Sequence, residues 1–385
     1  MKIKYLLGAA LTSLLLTGTG ALAVDQGITD TEILLGEVEP LSGPPALLGL
    51  AHNIGVRLAI EEANAAGGIA GRKLRLIAED DGYVTSRTIQ SLKKLITVDK
   101  VFALTALSGS GQAIASIPII KKSGIPTIVP IGPVPPLYTP PIDNLFVVGQ
   151  AYNEGMHELA LYLADKFPGK KWGIVTQDDD YGAALLEGFG RAKDTKGFEV
   201  VYQSKYSRGQ KDFSSEMLRV KDAGVEVFIA GGIISENVAM IKEMEKLGIK
   251  PVTGIFWPGR VSVVLKLIGP ASDGVYAVDY VAPLASKAGE EFLALAAKYL
   301  SKEEVGRINR YTMTGYAGAR VLIEAIKKCA SDLTWACTNA ALAKTQGLEV
   351  GVMQTIGFEP GSRFSNQAVQ ILQADFENLS FKPAE

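Results

Sequence analysis

Ile33-Leu34-Leu35-Gly36-Glu37-Val38 runs into Glu39-Pro40-Leu41-Ser42-Gly43-Pro44-Pro45, and a helical face at Ile54, Leu58 and Ala59 follows, closed by Gly67-Gly68. A short apolar run ending in a Pro- and Gly-rich loop reads as a buried strand. Apolar residues at helical spacing, then a glycine pair, read as a helix and its stop. The unit repeats. Leu74, Leu76 and Ala78 alternate as a second strand, and Ile89, Leu92 and Leu95-Ile96 recur at helical spacing. Val101 to Thr105 reads as a third strand, Gln112 to Lys121 as a third helix and Ile125 to Ile131 as a fourth strand. Successive βα units of this kind predict an α/β protein with a parallel sheet covered by helices on both faces.

Seven of the eighteen prolines fall between residues 126 and 141, so regular structure should stop there and the chain should cross into a second lobe. The alternation restarts with strands at Lys171 to Thr176, Phe198 to Tyr202, Val225 to Ala230 and Val252 to Phe256. Helices at Ala183 to Ala192, Phe213 to Lys221 and Val238 to Leu247 separate them. A mostly helical stretch, 285–350, and short strands from Gly351 onward do not make a lobe of their own and must pack back on the earlier two.

The chain of 385 residues carries 41 acidic and 39 basic side chains, with two histidines and two cysteines. At about 150 residues per domain this length suggests two or three domains. Near-neutral charge without a basic run argues against a nucleic-acid partner. His52 and His157 lack metal-ligand spacing and read as surface or capping residues, so no metal and no cofactor is expected. Asp178-Asp179-Asp180 lacks the pattern of a calcium loop and reads as a solvated turn. Lys2 and Lys4, the apolar run Leu6 to Leu16 and Ala21-Leu22-Ala23 predict a cleavable secretory signal over residues 1–23 and an exported, periplasmic protein. In an oxidising compartment Cys329 and Cys337 can pair; the alternative is two small buried thiols.

Several fragments resemble the periplasmic solute-binding proteins of the leucine/isoleucine/valine class, type I, which feed ATP-driven importers. They are Pro40-Leu41-Ser42-Gly43-Pro44, Leu58-Ala59-Ile60-Glu61-Glu62-Ala63-Asn64, Gly67-Gly68-Ile69-Ala70-Gly71-Arg72-Lys73-Leu74, Glu79-Asp80-Asp81, Gly124-Ile125-Pro126, Asp179-Asp180-Tyr181-Gly182 and Lys211-Asp212-Phe213-Ser214. Each is weak alone; their order and spacing carry the resemblance over almost the whole mature chain. It implies two doubly wound parallel-sheet lobes joined by three hinge crossings, near Val148-Gly149, Asp279-Tyr280 and Gly357-Phe358. The first lobe would hold 24–148 and 280–357, the second 149–279 and 358–385. A monomer would bind a small molecule between the lobes and deliver it to a membrane permease and its ATPase.

The resemblance also places the site. Ser108, Gly109 and Ser110 follow the third strand and open a helix, where amides and hydroxyls suit a carboxylate; without the resemblance, Ser110 is only an N-cap. Tyr181 matches a tyrosine that closes over the ligand in relatives. Ser42 lies on the first cleft loop, and Leu47 and Leu48 are either pocket wall or helix core. Gln150 and Tyr152 either face the cleft or support the hinge. Gly132-Pro133 stand where amino-acid binders carry a hydroxyl, and Phe256-Trp257-Pro258-Gly259-Arg260 where they carry an acid. Ile233 stands where relatives often have a polar or aromatic side chain. A buried ammonium without a partner costs several kcal/mol, so the departures imply a carboxylate with an apolar or aromatic body, a hydrophobic amino acid being the other candidate. Arg260 is then either a second anion partner or a solvated charge.

Two other classes remain. An enzyme is disfavoured by the lack of a Gly-x-Ser-x-Gly turn, a phosphate loop or a dinucleotide fingerprint. A sensor or receptor subunit binding an amide or urea would use the same fold.

Overall fold

The computed structural model describes residues 25–43, 45–107 and 109–385. The expected signal peptide and Ser108 lie outside the described residues.

The first sheet is built from β1 (Glu32–Glu39), β2 (Lys73–Asp80), β3 (Ala103–Leu107), β4 (Thr127–Val129) and β5 (Leu145–Gly149), with a late strand, Phe364–Asn366, added at its edge. Its order is late strand, β5, β4, β3, β1, β2, and every pair is parallel. Helices α1 (Ala46–Ala65), α2 (Thr85–Thr97) and α3 (Ser110–Ser123) make the crossovers. The inner strands are covered on both faces: β4 and β5 are buried throughout. Edge strand β2 is less covered: Leu74 is buried, Leu76 and Ile77 are half-buried and Ala78 is exposed, so the two-residue period expected from Leu74, Leu76 and Ala78 holds only at its start.

After β5 the chain enters the second layer system through α4 (Tyr152–Lys166), β6 (Lys171–Gln177), α5 (Asp180–Lys196), β7 (Glu199–Tyr206), α6 (Ser214–Asp222), β8 (Val227–Gly231), α7 (Ser235–Lys246), β9 (Val252–Ile255), α8 (Ser262–Ile268) and β10 (Tyr276–Asp279). The strands β10, β9, β8, β6, β7 pair in parallel in that order. Neither β5 nor α4 was read from the sequence, because the proline cluster directly upstream masks their periodicity.

The chain then returns with α9 (Lys287–Ala296), the single turn α10 (Lys302–Val305), α11 (Arg310–Lys328) and α12 (Trp335–Ala343). Helix α11 lies against α1 so closely that a Cβ on Gly55 would sit 1.9 Å from the Thr312 carbonyl, and one on Gly315 2.3 Å from that of His52. The late helices therefore complete the first layer system. Cys329 and Cys337 form a disulfide tying the end of α11 to α12.

The last passage between the sheets comes later than Gly357-Phe358. Phe358 is buried against Phe146 of β5, with ring centroids 5.2 Å apart, and β11 (Phe364–Asn366) pairs with Val147, Val148 and Gly149. Only β12 (Gln370–Asp375) and β13 (Ser380–Pro383) join the second sheet, as an antiparallel pair at its β10 edge. The passage thus lies between Asn366 and Gln370. Side-chain packing against β5, rather than the glycine at 357, fixes it.

His52 is not a surface residue. It is fully buried, with Nδ1 3.1 Å from Glu37 Oε1 and 3.5 Å from Glu39 Oε1, while Asn53 Nδ2 donates to the other Glu37 oxygen at 2.6 Å. Asp179 caps α5 by accepting from the Gly182 amide and pairs with Arg208, and Asp178 pairs with Lys205, so the acidic turn is engaged rather than merely solvated.

Candidate ligand-binding cleft

Parallel strands deliver their following loops to one edge of each sheet, and in open α/β sheets that edge is where ligands bind. Here the loops after β2, β3 and β4 face those after β6, β8, β9 and β10 across a cleft. Leu48, Gly109, Ser110, Gly132, Tyr152, Tyr181, Ile233 and Trp257 all line it, so eight of the eleven residues singled out in the sequence converge on one space.

On the first-sheet side, Gly109 is the residue before α3 and has φ +88°. A Cβ there would lie 2.4 Å from Gln112 Oε1 and 2.7 Å from the Tyr83 ring. Ser110 is thus the first helical residue rather than the cap. Its Oγ makes no capping bond, is buried and has no hydrogen-bond partner among the described residues. The positive end of α3 and this hydroxyl point the local field toward an anion. Gly132, with φ +76°, keeps the space beside them open. A Cβ there would stand 3.3 Å from the Tyr152 hydroxyl and 3.6 Å from Ser110 Oγ.

The opposite wall is aromatic. The Tyr152 ring lies 5.1 Å from Tyr181, edge to face, and 5.2 Å from Trp257, which in turn meets Tyr280 edge-on at 5.2 Å. Tyr181 donates to the Gly232 carbonyl at 3.2 Å, and buried Asn237 pins the adjoining loop through the Gly232 amide and the Ile233 carbonyl. Burial raises the Tyr152, Tyr181 and Tyr280 phenols above their ordinary range, so all three are neutral hydroxyls at physiological pH. Tyr311, also on the wall, has a buried hydroxyl without a partner among the described residues.

Arg310, the first residue of α11, lines the cleft and binds Asp279 with two nitrogens, Nε at 2.7 Å and Nη2 at 3.0 Å. Arg260 donates to the same carboxylate and to the Val281 carbonyl. Asp279 also accepts from the Tyr280 and Val281 amides. Burial alone would raise the Asp279 carboxyl, but the guanidinium groups of Arg260 and Arg310 outweigh it and hold it below the usual range. Two guanidiniums on one carboxylate leave a buried net charge of +1 beside the cleft. Among the lining residues there is no aspartate or glutamate.

At the mouth, Arg208 bridges the two sides. It pairs with Asp179 at 2.6 Å, donates to the Tyr83 carbonyl at 3.3 Å and lies over the Tyr83 ring at 4.3 Å. The Tyr83 phenol is pushed up to about 12, chiefly by burial, against the pull of Arg208.

Four residues weighed for the cleft lie outside its lining. Ser42 is an exposed turn residue held by its amide on Asp80 at 3.1 Å, outside the inner wall. Pro133 backs the hinge, accepting from the Tyr152 amide at 3.2 Å and packing its ring toward Gly149. Arg260 is neither solvated nor a cleft residue but the second partner of Asp279. Gln150 is buried and accepts from the Ala151 amide instead of lining the cleft. Sequence reasoning missed Tyr83, Ile131, Pro258, Tyr280, Arg310 and Tyr311. Tyr83 and Tyr280 adjoin fragments already singled out. Arg310 and Tyr311 lie seven and six residues before the helix read from Ala317, and only the packing of α11 on α1 carries them to the cleft.

Glu37, Glu39 and His52 offer ligand atoms within 4.8 Å of one another and could hold a metal ion. The trio lies behind the cleft wall, one helical turn from Leu48, and belongs to the core of the first layer system.

The family model described as periplasmic binding protein matches residues 32–378. The Leu/Ile/Val-binding protein homolog 7 of Brucella abortus is 26% identical over 337 residues, covering 82% of each chain. A branched chain amino acid ABC transporter structure from Thermus thermophilus with bound valine superposes with a TM-score of 0.82 at 19% identity, over 93% of this chain and 96% of that one. A solute binding protein of an ABC transporter from R. palustris, in complex with 4-hydroxybenzoate, superposes with 0.81 at 19% identity, over 92% and 96%. Two parallel sheets facing across a cleft, and a family match spanning nearly all of both, lead to one conclusion: the chain belongs to the periplasmic binding protein family, in the leucine/isoleucine/valine-binding class.

Proposed function

We propose that this protein is the exported solute-binding component of an ABC importer and that it takes a small carboxylate with an apolar or aromatic body. The observation that carries the reading is the polarity of the cleft. Ser110 Oγ, the Tyr311 hydroxyl, the α3 amino end and the Arg310–Asp279–Arg260 cluster favour an anion, and no carboxylate lines the wall to receive an α-ammonium. One neighbour of this fold holds valine and another 4-hydroxybenzoate, so the fold accommodates both ligand types and the side chains must choose. The aromatic wall suits a flat apolar body. Residues 1–23 would direct export, and the two lobes would close over the ligand by hinging where the chain passes between the sheets. Ligand favours closure because it touches both sides. The closed form would be what the permease recognises.

Titration calorimetry and thermal shift on the mature chain test this with benzoate, benzamide and leucine. The acid should bind and stabilise by about 2.7 kcal/mol at a hundredfold excess over Kd, and the amide and leucine should bind far more weakly. Preference for leucine would overturn the amine-free reading. Preference for benzamide would favour an amide receptor.

A further inference from the structure

A second cavity opens outward from the cleft. Tyr83 and Ile233 line both, so the two spaces adjoin. The outer one is the roomier, and its walls are largely apolar: Pro45, Tyr83 and Val84 on one side, Ile233 and Ile234 on the other, with Arg208 at the rim. The inner cleft is the smaller of the two spaces, so a long ligand body would extend into this vestibule.

Two acceptors line that vestibule. Glu236, in the first turn of α7, lines this space and is 5% exposed; among the described residues its carboxylate makes no hydrogen bond or ion pair, and its oxygens remain open to the vestibule. Gln177, at the end of β6, is fully buried; its Nε2 donates to Asp179 at 2.5 Å, but its Oε1 has no partner among the described residues. The amino end of α7 eases the charge on Glu236. It leaves the carboxylate oxygens able to accept a hydrogen bond from a ligand. The inner end thus offers hydroxyls and the Arg310 charge with no acid, whereas the outer end adds the acceptors Glu236 and Gln177, its one cation, Arg208, being paired with Asp179.

We propose that the ligand is elongated and two-ended. Its carboxylate lies by Ser110 and Arg310, and its distal end carries a hydrogen-bond donor, such as a hydroxyl, into the vestibule beside Glu236 and Gln177. This deepens the carboxylate reading above and rests on it.

The test measures Kd by calorimetry for benzoate, 4-(4-hydroxyphenyl)butanoate and 4-(4-methoxyphenyl)butanoate. The hydroxyl compound should bind about tenfold or more tighter than its methoxy analogue, as expected for a hydrogen bond to a charged acceptor. Glu236→Gln should erase most of that preference and leave benzoate unchanged. Val84→Trp, at an exposed position that fills the vestibule, should weaken both long acids and spare benzoate. Equal affinity for the two long acids, or a preference that survives Glu236→Gln, overturns the proposal while benzoate binding keeps the carboxylate reading alive. Failure of all three acids to bind removes both.

Discussion

Replacing Arg310 by methionine keeps the volume of the side chain and removes one charge from the cluster behind the cleft. Asp279 would remain paired with Arg260 and bonded to the Tyr280 and Val281 amides. The folding penalty should therefore fall below the roughly 3–5 kcal/mol typical of stranding a buried charge. Ligand affinity should suffer more selectively. The cluster drops from a net charge of +1 to neutral, and at ~8 Å with an effective dielectric constant of ~20 that attraction is worth ~2 kcal/mol. Calorimetry on a folded Arg310→Met variant should show Kd for benzoate rising about thirtyfold, whereas binding of the neutral benzamide should scarcely change. An unchanged Kd for benzoate would refute the electrostatic reading of the cleft. An equal loss for acid and amide would show that Arg310 supports the wall without sensing charge.

Gly132→Ala should weaken acid binding more than tenfold, by about 1.5 kcal/mol or more, because the new methyl group enters the space between Ser110 and Tyr152 at a positive φ; a Kd within a factor of about two of wild type would move the carboxylate elsewhere. Arg208→Ala removes the contact that ties Tyr83 to Asp179, and stopped-flow fluorescence should show faster ligand dissociation with little change in association rate. The reverse pattern would mean that Arg208 steers ligands instead of holding the lobes together. Asp279 has a carboxyl pKa depressed in the folded state, so its contribution is complete above the unfolded value near 3.8 and is lost as pH falls below it. The raised Tyr83 phenol acts oppositely, its contribution being present below pH 10 and lost as pH rises toward about 12. Melting temperature should thus be flat from about pH 5 to 9 and drop beyond both limits; a melting temperature falling steadily between pH 5 and 8 would point to other groups.

The sequence by itself determined the α/β alternation, because buried strands and amphipathic helices need distinct apolar spacings that a single chain displays openly. Through the resemblance its fragments carry, it also pointed to Gly109, Ser110, Gly132, Tyr181, Ile233 and Trp257; each follows a strand, and parallel strands bring their ends to one edge. Tertiary structure alone decided the rest. Arg310 and Tyr311 reach the cleft through the packing of α11 on α1, and the buried pairing of His52 with Glu37 depends on the same helix lying over β1. The passage at 367–369 depends on Phe358 meeting Phe146 and on β11 pairing with β5. The packing of α11 on α1, of Phe358 on Phe146 and of β11 on β5 joins residues more than a hundred positions apart, and local periodicity carries no information about which distant surfaces will meet.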